Sequence, residues 1–107
     1  MSTTLEKVKQ LEQYISIDSA GIDPVLDMAI TKLLEREAAR IRELKNRLLT
    51  QLTEFEHQYS LPSQEFYTRY EQGEMGDDMD FIEWAATIEM VNNIDSRLTV
   101  LDVASTS

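Results

Sequence analysis

The chain has 107 residues, 42% of them apolar, no cysteine and a net charge of −10, which points to one globular domain and excludes wholesale disorder, a disulfide framework and thiolate chemistry. No apolar run approaches the ~20 residues that span a bilayer, and the opening MSTTLEKVKQLEQY lacks the unbroken apolar stretch of a secretory signal, so a soluble cytoplasmic protein is expected. Residues 60–107 hold ten acids and two bases, against ten and eight in residues 1–59, so the C-terminal half would repel a nucleic-acid backbone or an anionic membrane.

The pattern predicts an all-α protein of four helices, with no strand of convincing alternation. Residues 1–21 hold the first, from about Leu5 to Ile17, with Thr3 and Glu6 at capping-box spacing. Leu5, Val8, Leu11 and Ile15 share one face, and Asp18-Ser19-Ala20-Gly21 reads as the turn that follows.

Residues 22–60 carry a long helix. Asp23 is a good N-cap, Pro24 suits the first helical position, and neither Gly nor Pro recurs until Pro62. Apolar residues return every three or four positions at Leu26, Ile30, Leu33, Ile41, Leu44, Leu48, Leu52, Phe55 and Tyr59, with Glu37 filling the one missing step. Many recur at an eleven-residue period, such as Ile30, Ile41 and Leu52, which gives a nearly straight stripe. Such a helix measures roughly 54 Å, whereas a compact domain of this size has a radius of gyration near ~13 Å. It must therefore protrude or lie along a partner of similar length.

Residues 61–80 hold a short helix, about Pro62 to Gln72, ended by Gly73, and then an acidic turn. Residues 81–103 form the last helix, with Phe81, Trp84, Ala85, Ile88, Val91, Ile94, Leu98 and Leu101 inward and Asp95 interrupting the seam. It is long enough to pack antiparallel on most of the second helix. The expected architecture is a long antiparallel helical hairpin with two short covering helices, assembled as a dimeric bundle because the apolar stripe exceeds what one short chain can cover.

The chemistry-bearing residues favour binding over catalysis. Glu74, Asp77, Asp78, Asp80 and Glu83 cluster, but beyond Asp78 and Asp80 the alternating ligands of a calcium loop are missing. Asp80 as N-cap with Glu83 three residues on, flanked by Met79 and Trp84, reads instead as a capping box with a hydrophobic staple. The single histidine, His57, has only Glu54 on its own face, with no cysteine and no serine elbow to work with. Phe66, Tyr67, Tyr70, Phe81 and Trp84 could stack bases, but Arg69 is the only cation near them. Core packing is the expected role for Phe66, Tyr70, Phe81 and Trp84, and Tyr67 is the candidate exposed contact. No catalytic residue, metal site or cofactor is assigned.

Residues 66–84, FYTRYEQGEMGDDMDFIEW, carry a resemblance. With the long amphipathic helix before it, the block resembles the F-Y-x-x-[FY]-x-x-G-E-x-G-D-D-x-D-F-x-E-W pattern of a group of small, acidic, all-helical prokaryotic proteins. The resemblance covers roughly residues 22–98. It implies an antitoxin-like partner of a small toxin and transfers no catalytic residue. This chain has no DNA-binding segment such as a helix-turn-helix, so autorepression by this chain alone is not expected.

Together these readings predict a non-enzymatic protein-binding module, with Tyr67, Glu71, Glu74, Asp77 and Asp78 as an acidic docking edge for a small basic protein such as a toxin. Nucleic acid and membrane are not expected partners; a second copy of the chain is. The alternative is a structural or adaptor dimer whose acids serve only capping and solubility. The sequence leaves open whether the acidic segment faces solvent or pairs with the cationic ridge Lys32, Arg36 and Arg40.

Overall fold

The computed structural model describes residues 3–17 and 23–106, and every regular element among them is helical. The helices are α1 (Thr4–Ile17), α2 (Pro24–Tyr59), α3 (Ser63–Glu71) and α4 (Met79–Thr106). The expected turn at 18–21 lies outside the described residues. The chain divides into two compact units, Met1–Leu33 and Leu34–Ser107.

In the first unit the helix starts follow local chemistry. The Thr3 hydroxyl accepts the Glu6 N–H at 3.1 Å, and the Glu6 carboxylate accepts the Thr3 N–H at 3.3 Å, a complete capping box. Asp23 Oδ1 accepts the Val25 N–H at 2.8 Å, so Asp23 caps α2 and Pro24 sits where its missing N–H costs nothing. No residue of α1 is buried. Leu11, Ile15, Leu26 and Ile30 are half-buried, while Leu5, Val8, Val25, Met28 and Leu33 stay exposed.

The second unit carries the core. One cluster joins Ala38, Ile41 and Leu48 of α2 to Val91, Ile94 and Leu98 of α4, with Leu44, Leu52 and Leu101 at its margin. A second is aromatic: Phe66, Trp84 and Ala85 are buried, and Phe55, Tyr59, Tyr67, Tyr70 and Phe81 pack around them. Polar contacts between α2 and α4 run in opposite order along the two helices. Arg42 pairs with Asp102, Lys45 with Asp95 at 2.6 Å, and the Tyr59 hydroxyl donates to Asp80 at 2.5 Å. Asp95 therefore does not break the seam; it lies exposed beside it and binds Lys45. Glu37, the polar step in the α2 stripe, accepts from Arg40 at 2.6 Å. That hydrogen bond holds its carboxyl below the usual range.

The chain reversals are set by backbone geometry. At the end of α2 the Leu61 N–H reaches back to the Glu56 carbonyl at 3.2 Å, with Ser60 in the left-handed region at φ 52°. A side chain there is strained, and Gly is the usual occupant. Ser60→Gly should raise stability by about 0.5 kcal/mol, the relief of left-handed strain net of glycine's extra chain entropy; a urea midpoint shifted downward would contradict this.

Candidate functional site

The platform beneath the acidic residues is the aromatic cluster. The Phe66 and Trp84 rings stack with centroids 3.9 Å apart and planes within 3°. Phe55 stacks on Trp84 at 5.4 Å, and both Phe66 and Trp84 are 0% exposed. The buried indole N–H donates to Ser63 Oγ at 3.0 Å, so its polar atom is satisfied. Ser63 also donates its backbone N–H to the Glu56 carboxylate at 2.8 Å. Pro62, the residue preceding α3, offers no side-chain cap, and a carboxylate from α2 does this work instead. Negative charge at a helix N-terminus is favourable.

The α3–α4 junction is a turn with two glycines in the left-handed conformation. The Gly73 N–H donates to the Tyr70 carbonyl at 3.0 Å and the Glu74 N–H to the Arg69 carbonyl at 3.0 Å, with Gly73 at φ 76°. This is the Schellman arrangement, which needs a left-handed residue at that step. Gly76 repeats the left-handed conformation at φ 80°.

The start of α4 differs from the sequence expectation. The Asp78 carbonyl accepts the Phe81 and Ile82 N–H groups, and Asp78 Oδ1 accepts the Asp80 N–H at 2.9 Å. Asp78 is thus the N-cap, and the helix begins earlier than the predicted Phe81. Asp80 instead spends its carboxylate on the Tyr59 hydroxyl and, more weakly, on Gln58 at 3.4 Å. The predicted staple is absent as well: Met79 is exposed while Trp84 lies at the centre of the core. Two nearby aspartates can each cap a helix; packing of Tyr59 against Phe81, with centroids 5.2 Å apart, places Asp80 beside a phenol and leaves the cap to Asp78.

Of the five predicted docking residues, Glu71, Glu74, Asp77 and Asp78 are exposed. Tyr67 is not the free contact expected of it. It is half-buried in the aromatic cluster, and its hydroxyl donates to Glu89 of α4 at 2.9 Å. The five do not form one network. Tyr67, Glu71 and Glu89 make one group, in which the Glu89 hydrogen bond, burial and the Glu71 charge raise the Tyr67 phenol above its ordinary range. Asp78 and Asp80 make another around Tyr59. Glu74 lines a shallow groove on the outer side of α3 with Arg69 and Gln72.

Glu89, Glu56 and Ser63 were invisible as site residues in the sequence. Their only signal is a partner on another helix, and no local spacing reports that. The four ion pairs among the described residues are Arg40–Glu37, Arg42–Asp102, Lys45–Asp95 and Arg69–Glu65. None uses Glu71, Glu74, Asp77 or Asp78. His57 is exposed. Among the described residues no group of three or more His, Asp or Glu side chains could hold a metal ion, and no helix is long and apolar enough to cross a membrane.

The Tyr59–Asp80 contact gives a pH signature. Hydrogen bonding to the Asp80 carboxylate, reinforced by burial and by the charges of Asp80 and Asp78, pushes the Tyr59 phenol up to about 12 from its ordinary 10.0. A phenol whose pKa is raised on folding contributes stability that is complete below the unfolded value and is lost as pH rises through the folded one. Folding should therefore weaken between pH 10.0 and about 12, and Tyr59→Phe should flatten that loss. Tyrosinate absorbance titrations of the folded protein and of the variant check this; an unchanged profile for the variant would contradict it.

Comparison with protein-family models, with curated proteins and with solved structures finds no match for this chain.

Proposed function

We propose that this chain is a non-enzymatic protein-binding module of the cytoplasm that neutralises a small basic protein, in the manner of an antitoxin. In this reading α2 and α4 form the long antiparallel hairpin of a homodimer. One observation carries the functional part. Glu71, Glu74, Asp77 and Asp78 stand exposed in and beside a turn with two left-handed glycines, next to an aromatic core, and none of the ion pairs among the described residues involves them. An anionic face whose carboxylates make no ion pair within the chain's described part steers and orients a cationic partner. Nucleic acid and anionic membrane are disfavoured by the same charge.

The test is the combined variant E71S/E74S/D77S/D78S, in which the D78S exchange keeps a capping hydroxyl at the start of α4. Binding to a small basic protein encoded beside this gene should weaken roughly tenfold to a hundredfold at low salt, and its dependence on salt should flatten. Equal affinity at every ionic strength removes the proposal.

A second reading is a structural or adaptor dimer, favoured by what Asp78 and Asp80 do inside the fold. One caps α4 and the other holds Tyr59. That reading expects the variant to lose solubility and no partner.

A further inference from the structure

We propose that the face of α4 turned away from the core is a two-fold self-association surface, occupied by α4 of a second copy laid antiparallel with Asn93 on the axis. This rests on the homodimer reading and gives it a geometry.

The apolar residues of α4 are spread around the whole helix rather than gathered on one side, the pattern of a helix covered on more than one face. One stripe, through Trp84, Val91, Ile94 and Leu98, is buried in the two clusters. On another side, apolar Ile82, Ala86 and Val100 alternate with polar Glu89, Asn93 and Arg97 every three or four residues, spacing that keeps all six on one side. All six are exposed, Val100 by 70%. Ala86, Glu89, Asn93 and Arg97 of this stripe, with Leu44 and Ile94, line a cavity of about 360 Å³ along the helix. It offers apolar walls to side chains arriving from outside.

The order of residues in the stripe selects the occupant. When a helix meets its own copy antiparallel, each residue faces the one equally far beyond the axis. With the axis at Asn93, Glu89 faces the partner's Arg97, and Arg97 faces the partner's Glu89. Small Ala86 faces the larger Val100, and Val100 faces Ala86. The Asn93 amides face each other, and each can donate and accept. The only two charged residues of the stripe are thus placed as opposite pairs, twice, and no like charges meet. A polar residue at one core position of a helix pair fixes register, and Asn93 sits where that role is needed. A patch made for an unrelated protein has no reason to be self-complementary about its own midpoint. The Glu89 carboxylate is held within the chain by the Tyr67 hydroxyl; Arg97, whose charge also acts on the Glu37 carboxyl of α2, takes part in none of the ion pairs among the described residues.

The chain lacks cysteine, so Asn93→Cys introduces a single thiol. Two thiols on the axis can meet the Cα separation of ~4.4–6.8 Å that a disulfide requires. Under mild oxidation the full chain carrying N93C should form a covalent dimer at least about tenfold faster than a T50C control on the exposed side of α2. Arg97→Glu should weaken self-association roughly tenfold by facing Glu with Glu, and the double exchange E89R/R97E should restore it. Lost folding does not produce that restoration. A wild-type dimer in sedimentation whose N93C variant cross-links no faster than T50C overturns this geometry and leaves the homodimer reading standing. A strict monomer at tens of micromolar overturns both.

Discussion

Replacing Trp84 by alanine is expected to cost about 3–5 kcal/mol, the range for removing a buried aromatic side chain. A domain of this length has roughly 5–15 kcal/mol in total, so the variant should be largely unfolded at a few molar urea. The reason is specific to this site. Trp84 is fully buried, with Phe66 stacked at 3.9 Å, Phe55 at 5.4 Å and Tyr59 at 5.8 Å. No neighbour can collapse into that volume without abandoning its own stack. Trp84→Phe keeps an aromatic ring but loses the hydrogen bond to Ser63, and should cost less than half as much. Urea unfolding followed by circular dichroism separates the two; equal midpoints for W84A and wild type would mean that this stack is not the centre of the core.

Ile41→Ala should cost about 2–4 kcal/mol, because Ile41 is 1% exposed and lies in the cluster that joins α2 to α4. Leu33→Ala, on the same apolar stripe of α2, should cost under about 0.5 kcal/mol, because Leu33 is exposed. The pair tests whether stability is concentrated in residues 34–107. Parallel urea titrations at one protein concentration suffice, and a larger loss at Leu33 than at Ile41 would reverse the assignment. The contrast bears on the proposed docking role: the acidic turn belongs to the unit that carries both core clusters, and that role would need a base that does not give way when a partner arrives.

The all-helical character and most helix ends were legible in the sequence. Thr3 with Glu6, Asp23 with Pro24, and Gly73 each act through backbone groups within a few residues, and such interactions do not wait for a tertiary fold. The burial of Phe66 and Trp84 was legible too, since large apolar rings have few other places to go. Leu33, Leu5 and Val8 show the limit of that logic. Their spacing marks an apolar face, but spacing does not say whether another element arrives to cover it.

The acidic segment was legible as a charge, whereas the internal contacts of its members were not. Tyr67, Glu71, Glu74, Asp77 and Asp78 are close in sequence, yet the structure assigns Tyr67 to Glu89, gives Asp78 the cap of α4 and turns Asp80 to Tyr59.

Local pattern sufficed to place most helix ends, those of α4 excepted, because caps and left-handed stops act over three to five residues. Which carboxylate is spent inside the fold and which is left for solvent depended on contacts between side chains about twenty positions apart, such as Tyr59 with Asp80 and Trp84 with Ser63. Those pairings exist only after α3 and α4 have packed on the aromatic cluster, since it is burial that brings the groups within hydrogen-bonding distance.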